Sequence, residues 1–131
     1  MEAWRFAFRA GVAPELTRAE LAALRDALAA DDARLVQGLT VLPPPFPSTA
    51  GQPCEAACLV AYAGWRGGDC RTVGDASDFF RGVCRRAADR LGDRGEVRWL
   101  LKFWDTTPRD KAVAALLPEV ERALAELERP A

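Results

Sequence analysis

A chain of 131 residues with a formal net charge of −1 and half of its residues apolar has the length of one domain and ample material for one core. The near-neutral balance excludes a strong field steering the chain to nucleic acid or an anionic membrane. Histidine is absent, which removes the commonest general base, the Ser–His and Cys–His nucleophile pairs and the commonest metal ligand.

Alanine and leucine together number 40, valine nine, and isoleucine is missing. Strong helix formers thus outweigh β-branched residues, which predicts an α-rich domain spanning 1–131. The opening MEAWRFAFRAG has no basic stretch followed by an apolar run, and no segment approaches the ~18 apolar residues of a membrane span. The expected location is the cytoplasm, with reduced thiols.

Trp4 and Phe8 at i,i+4, with Gly11 and Pro14 beyond, predict a helix over 2–10 that stops at Gly11. A strand is the alternative, with Trp4, Phe6 and Phe8 on one face. Thr17-Arg18-Ala19-Glu20 is a capping box, flanked by the hydrophobic staple Leu16 and Leu21. Leu21, Leu24 and Leu28 share a face of the helix it opens, which runs to about Ala30. Asp31-Asp32 then caps one short turn through Leu35-Val36, ended by Gly38.

Pro43-Pro44-Pro45-Phe46-Pro47 predicts an extended, polyproline-like loop that continues through Ser48–Gly51. Pro53 suits the first turn of a helix bearing Cys54, Ala57, Cys58, Ala61 and Trp65 on one stripe. A buried strand over 56–62 is its alternative. After a glycine-rich loop from Trp65 to Gly74, Asp75 or Ser77 is expected to cap a helix ending at Gly92. Phe79, Phe80, Val83, Cys84, Ala87 and Leu91 form its inner stripe.

Asp93 with Glu96 marks another start, and Val97, Leu100, Leu101 and Trp104 fit a helical stripe. The strand alternative turns Val97, Trp99, Leu101 and Phe103 inward. At least one of Trp99 and Trp104 is expected in the core. Thr107, Pro108 and Asp110 predict the start of a last helix carrying Val113, Leu116, Leu117, Val120, Leu124 and Leu127, with Pro118 kinking or splitting it.

The predicted fold is mainly α, a five- or six-helix bundle with a long Pro-rich loop. The alternative is α+β, with strands near 3–9 and 96–104.

Four features are candidates for chemistry. Cys54, Cys58, Cys70 and Cys84 lack the tight pairs at both ends of a zinc site and read as structural thiols, Cys70 being the most exposed. Asp105, Thr106, Thr107 and Arg109 surround a helix start, a place that presents free N–H groups to an anion. Arg81, Arg85, Arg86 and Arg90 share two edges of one helix, with Arg94 and Arg98 following, and Asp78, Asp89 and Asp93 interleaved as pairing partners. The proline run reads as a connector, or as a segment for an aromatic-lined groove.

With no cofactor fingerprint and no metal set, no cofactor is expected. The reading is a non-enzymatic protein interaction or adaptor module, with a protein partner on Arg81, Arg85, Arg86 and Arg90. Of the 18 basic residues 16 are arginine, and arginine is enriched at interfaces while lysine is depleted. The alternatives are a ligand-binding or enzymatic site at Asp105, Thr106, Thr107 and Arg109, and nucleic-acid binding through the Arg81–Arg98 face. A polar pocket joining Asp105, Arg109 and Cys70 would favour a ligand site. A flat face bearing Arg and Trp would favour the interaction module.

Overall fold

The computed structural model describes residues 1–38, 50–92 and 94–129, without the side chain of residue 94. The expected polyproline run at 43–47, most of the loop continuing it, and the Asp93 cap lie outside the described residues. The molecule is mainly helical, with six α-helices and no strand among the described residues. Both strands of the α+β alternative, 3–9 and 96–104, are helical, and the strand alternative over 56–62 gives way to helix from Leu59.

Helix α1, Ala3–Phe6, continues into a π turn, Ala7–Val12, and a 3-10 turn, Ala13–Glu15. Trp4 and Phe8 are buried and Phe6 is half exposed, the helical outcome rather than the strand one. Trp4 stacks on Phe103 at 4.1 Å between ring centroids. Gly11 does not stop the helix. It is buried inside the π turn, and a Cβ there would lie 2.8 Å from Cδ1 of Leu91. Its missing side chain admits a neighbouring helix.

Helix α2, Arg18–Ala30, opens on the expected box: the Glu20 N–H donates to Thr17 Oγ1 at 3.2 Å, and the Thr17 N–H donates to Glu20 Oε1 at 2.8 Å. Leu16, Leu21, Leu24 and Leu28 are buried. Asp31 closes the helix in the left-handed region at φ 50°. Asp32 then holds the expected short turn, its Oδ1 accepting from the Arg34 N–H at 2.9 Å and its carbonyl from the Leu35 N–H at 3.0 Å, and Leu35 is fully buried.

The helix expected from Pro53 begins six residues later, as α3, Leu59–Gly67. Residues 53–57 are extended, because long-range pairing claims their backbone. The Ala57 N–H donates to Arg34 O and the Val36 N–H to Ala57 O, both at 2.9 Å. The Cys54 N–H donates to Arg71 O and the Val73 N–H to Gln52 O, both again at 2.9 Å. Proline lacks a donor, so Pro53 suits this edge as well as it suits a helix start.

Helix α4, Val73–Leu91, starts earlier than expected. Its cap is Thr72, not Asp75 or Ser77; Asp75 is the N3 partner in a second capping box. Gly92, at φ 71°, ends it as expected. Val83 and Ala87 are buried, while Phe79, Phe80, Cys84 and Leu91 are half-buried.

Helix α5, Arg94–Thr106, buries Val97, Leu100 and Trp104. Helix α6, Arg109–Leu127, is continuous through Pro118, which is exposed, so the helix is not split. Thr107 is not its cap. The Thr107 N–H bonds back to Phe103 O at 3.0 Å and so finishes α5, and Pro108 holds the cap position without a side-chain bond. Helix α2 packs on α3 and α6; α4 packs on α3, α5 and the π turn; α1 packs on α5.

Two charged side chains are buried among the described residues: Glu20, held in its capping box, and Glu119. Glu119 on α6 is 3 % exposed. Arg5 Nη1 donates to it at 2.5 Å, and Arg9 Nε at 2.6 Å with Nη2 at 3.0 Å. Those hydrogen bonds hold its carboxyl below the usual range against the opposing effect of burial.

Candidate functional site

The Asp105–Arg109 region is occupied by the chain itself. Arg109 is the first residue of α6, directly after the Pro108 cap. Its Nη1 donates to Leu35 O at 2.5 Å, its Nη2 to Asp32 O at 2.9 Å and its Nε to Asp31 Oδ1 at 2.9 Å. Asp105 Oδ1 accepts from the Gly38 N–H at 2.8 Å. Gln37 Nε2 donates to Trp104 O and Thr107 O, both at 2.7 Å, and Trp104 Nε1 donates to Val36 O at 2.9 Å. Thr106 Oγ1 bonds to Lys102 O within its own helix. Residues 31–38 are therefore laid across the end of α5 and the start of α6. The guanidinium that would meet an anion is spent on two backbone carbonyls and a carboxylate.

Cys70 is not part of this group. It borders an open hollow with Asp69, Asp75, Asp78 and Arg86. Burial raises its thiol pKa, and the nearby Asp75, Glu20 and Asp69 carboxylates add to the shift. Burial also raises Cys58 to about 11 and Cys84 to about 12. The thiolate is the reactive form, and burial disfavours it at both positions. A thiol reagent applied to the native protein is expected to label Cys70 first. Cys54 and Cys58, which are buried, should label only after unfolding, as mass spectrometry of the labelled peptides will report. Rapid native labelling of Cys58 would contradict the packing. Among the described residues no cluster of His, Cys, Asp or Glu is placed to hold a metal ion.

The arginines of α4 divide into two edges. On one edge, Arg86 Nε and Arg90 Nε donate to the two carboxylate oxygens of Glu15, each at 2.5 Å. Glu15 is largely buried, and the hydrogen bond from Arg90 leads the shift of its carboxyl below the ordinary range. This clamp joins α4 to the 3-10 turn. Arg81 pairs with Asp78 at 2.8 Å, one of the interleaved acids expected from the sequence.

The other edge is open. Arg85 faces Arg98 of α5 across a groove of about 330 Å³, with Cys84, Ala88, Val97 and Leu101 as its floor and Asp89 beside Arg85. Arg85, Arg98 and Lys102 are exposed, and none has an ion pair among the described residues. Trp99 lies beside Arg98 on α5 and is 52 % exposed, with Lys102 Nζ 5.9 Å from its ring centroid.

Of the four arginines expected to bind a partner, Arg85 reaches this face unencumbered, while Arg81, Arg86 and Arg90 have internal partners. Trp99, one of the two tryptophans considered for the core, lies on this face instead while Trp104 is the buried one, and Lys102 joins it without a sequence expectation. Its signal was the i,i+4 pair Arg98 and Lys102 on the polar side of the stripe Val97, Leu100 and Trp104. No protein family, curated protein or solved structure matches this chain.

Proposed function

We propose that the protein is a non-enzymatic interaction module that docks an acidic protein partner on the outer face of α4 and α5. The observation that carries this is Trp99, a large aromatic half in solvent on α5, next to Arg98 in the chain and with Lys102 Nζ 5.9 Å from its ring, on the helix whose Arg98 shares a groove with Arg85. Tryptophan and arginine are the residue types that most often dominate binding energy, and lysine and arginine rims steer acidic partners. The helix-start alternative has lost its support, since the donors of Arg109 are engaged within the chain. No helix among the described residues is long and apolar enough to cross a membrane, and we place the interaction in the cytoplasm, where free thiols such as these persist.

Site-specific photo-crosslinking in cells tests the reading. A photoreactive residue at Arg85 or Lys102 is expected to give a discrete protein adduct, and one at Arg25 of α2 or Ala125 of α6 to give none. The double variant Arg85→Glu/Arg98→Glu should reduce the Lys102 adduct about tenfold, the equivalent of about 1.4 kcal/mol, with the melting temperature unchanged. Adducts only from the α2 and α6 positions would place the interface elsewhere. Arg86 and Arg90 are unsuited to this test, because reversing either also breaks the Glu15 clamp.

A further inference from the structure

We propose that the occupant of the α4–α5 groove is an acidic amphipathic helix, an inference that rests on the interaction reading above. The floor is made of two rows, Cys84 with Ala88 on α4 and Val97 with Leu101 on α5. Each row is spaced four residues apart, one turn along its helix. Rows of this spacing are what the ridge of another helix packs between. Cys84 and Ala88 are small, so α4 leaves room for side chains reaching down onto Val97 and Leu101.

The other ways of binding a peptide lack their partners here. A strand added to this surface would need free backbone donors and acceptors, and those of α4 and α5 are consumed within the helices. A polyproline segment docks in an aromatic-lined trough, and none of the residues lining this groove is aromatic. A helix asks nothing of the backbone opposite it. It needs apolar anchors at i, i+4 and i+7 and flanks of the right charge.

Charge sets the sign of those flanks. Arg85 and Arg98 stand on opposite walls, and Lys102 is one turn beyond Arg98. Asp89 is the one acid in the lining among the described residues. Glu or Asp on both sides of the apolar stripe meets a cation on each wall, whereas a basic flank meets like charge on both. Trp99 adds apolar area on the outer rim beyond Arg98.

Fluorescence polarisation with labelled peptides of about 18 residues, long enough to hold a helix, tests the inference. One peptide carries leucines at i, i+4, i+7 and i+11 with glutamate flanks. The second replaces glutamate by lysine, and the third scrambles the first. The acidic amphipathic peptide is expected to bind at least about tenfold tighter than either control. Arg85→Glu/Arg98→Glu should invert the preference toward the lysine twin. Equal binding of the first and scrambled peptides would overturn the helix, and indifference to the double reversal would overturn the groove. Tighter binding of a DNA duplex than of the acidic peptide, through the same two arginines, would overturn the protein partner.

The crosslinking experiment separates this inference from the reading beneath it. An adduct at Arg85 whose partner segment is not helical sinks the helix and leaves the interaction module standing. Loss of both the adduct and the peptide binding removes both.

Discussion

Trp104→Ala is expected to lower the unfolding free energy by about 3–5 kcal/mol, the range for emptying a buried large aromatic site. Trp99→Ala, five residues earlier on the same helix, should cost less than about 1 kcal/mol. Trp104 has no exposed surface, and its indole N–H is bonded to Val36 O at 2.9 Å. Removing it opens a cavity, orphans that carbonyl and undercuts residues 31–38 where they cross the end of α5. Trp99 contributes one exposed ring and its contact with Lys102. Urea denaturation with linear extrapolation measures both. Trp104→Phe divides the effect, since it keeps most of the packing and loses the hydrogen bond, worth about 1 kcal/mol. Equal losses for Trp99→Ala and Trp104→Ala would mean that Trp99 is core, and the proposed docking face would fall with it.

That contrast between two tryptophans marks what could be read in the sequence. The α5 stripe of Val97, Leu100 and Trp104 was legible because its period is local, and the period alone sends Trp99 outward; the competing strand period would have sent it in. The Thr17–Glu20 box was legible for the same reason. The Thr72–Asp75 box has the same spacing but is hidden in the sequence, because Asp75 and Ser77 are themselves good caps. Gly92 and Gly11 look alike in sequence, each following a helical stretch. Gly92 takes the left-handed φ that ends a helix, whereas Gly11 exists to let Leu91 approach. Only tertiary packing distinguishes them.

The candidate site follows the same division. Arginines on the surface of α4 were visible by helical spacing, and so was the pairing of Arg81 with Asp78. The engagement of Arg86 and Arg90 by Glu15 was not, since those partners lie 71 and 75 residues apart in the chain. Nor was the filling of the α6 start by residues 31–38, which joins positions 67 to 78 residues apart. Both contacts remove candidates from the surface. What they leave exposed is Arg85, Arg98, Trp99 and Lys102, a face assembled from two helices rather than from one.

Glu119→Gln should destabilise the protein by about 2–3 kcal/mol at neutral pH, somewhat below the ~3–5 kcal/mol typical of breaking a buried ion pair. The discount reflects Arg5 and Arg9, whose side chains are 25 % and 30 % exposed and can turn to water once their partner is gone. The glutamine amide keeps the shape but turns donors toward two guanidinium groups that are themselves only donors. The sign of the pH dependence follows from the direction of the shift. The carboxyl of Glu119 is lowered in the folded state, mainly by its hydrogen bond from Arg9. Its contribution is therefore full above the unfolded value of about 4.3 and is lost as pH falls through the lower folded value. Glu15 and Asp75 are lowered as well, so the whole protein weakens in acid and the wild type alone does not isolate Glu119. The difference between wild type and Glu119→Gln does. It should be constant from pH 7 down to about pH 5 and shrink below about pH 4. Urea midpoints measured across that range will show the convergence. A gap that persists undiminished into strong acid would mean that Glu119 acts by packing alone, and that the pairing of α6 with the first helix does not depend on its charge.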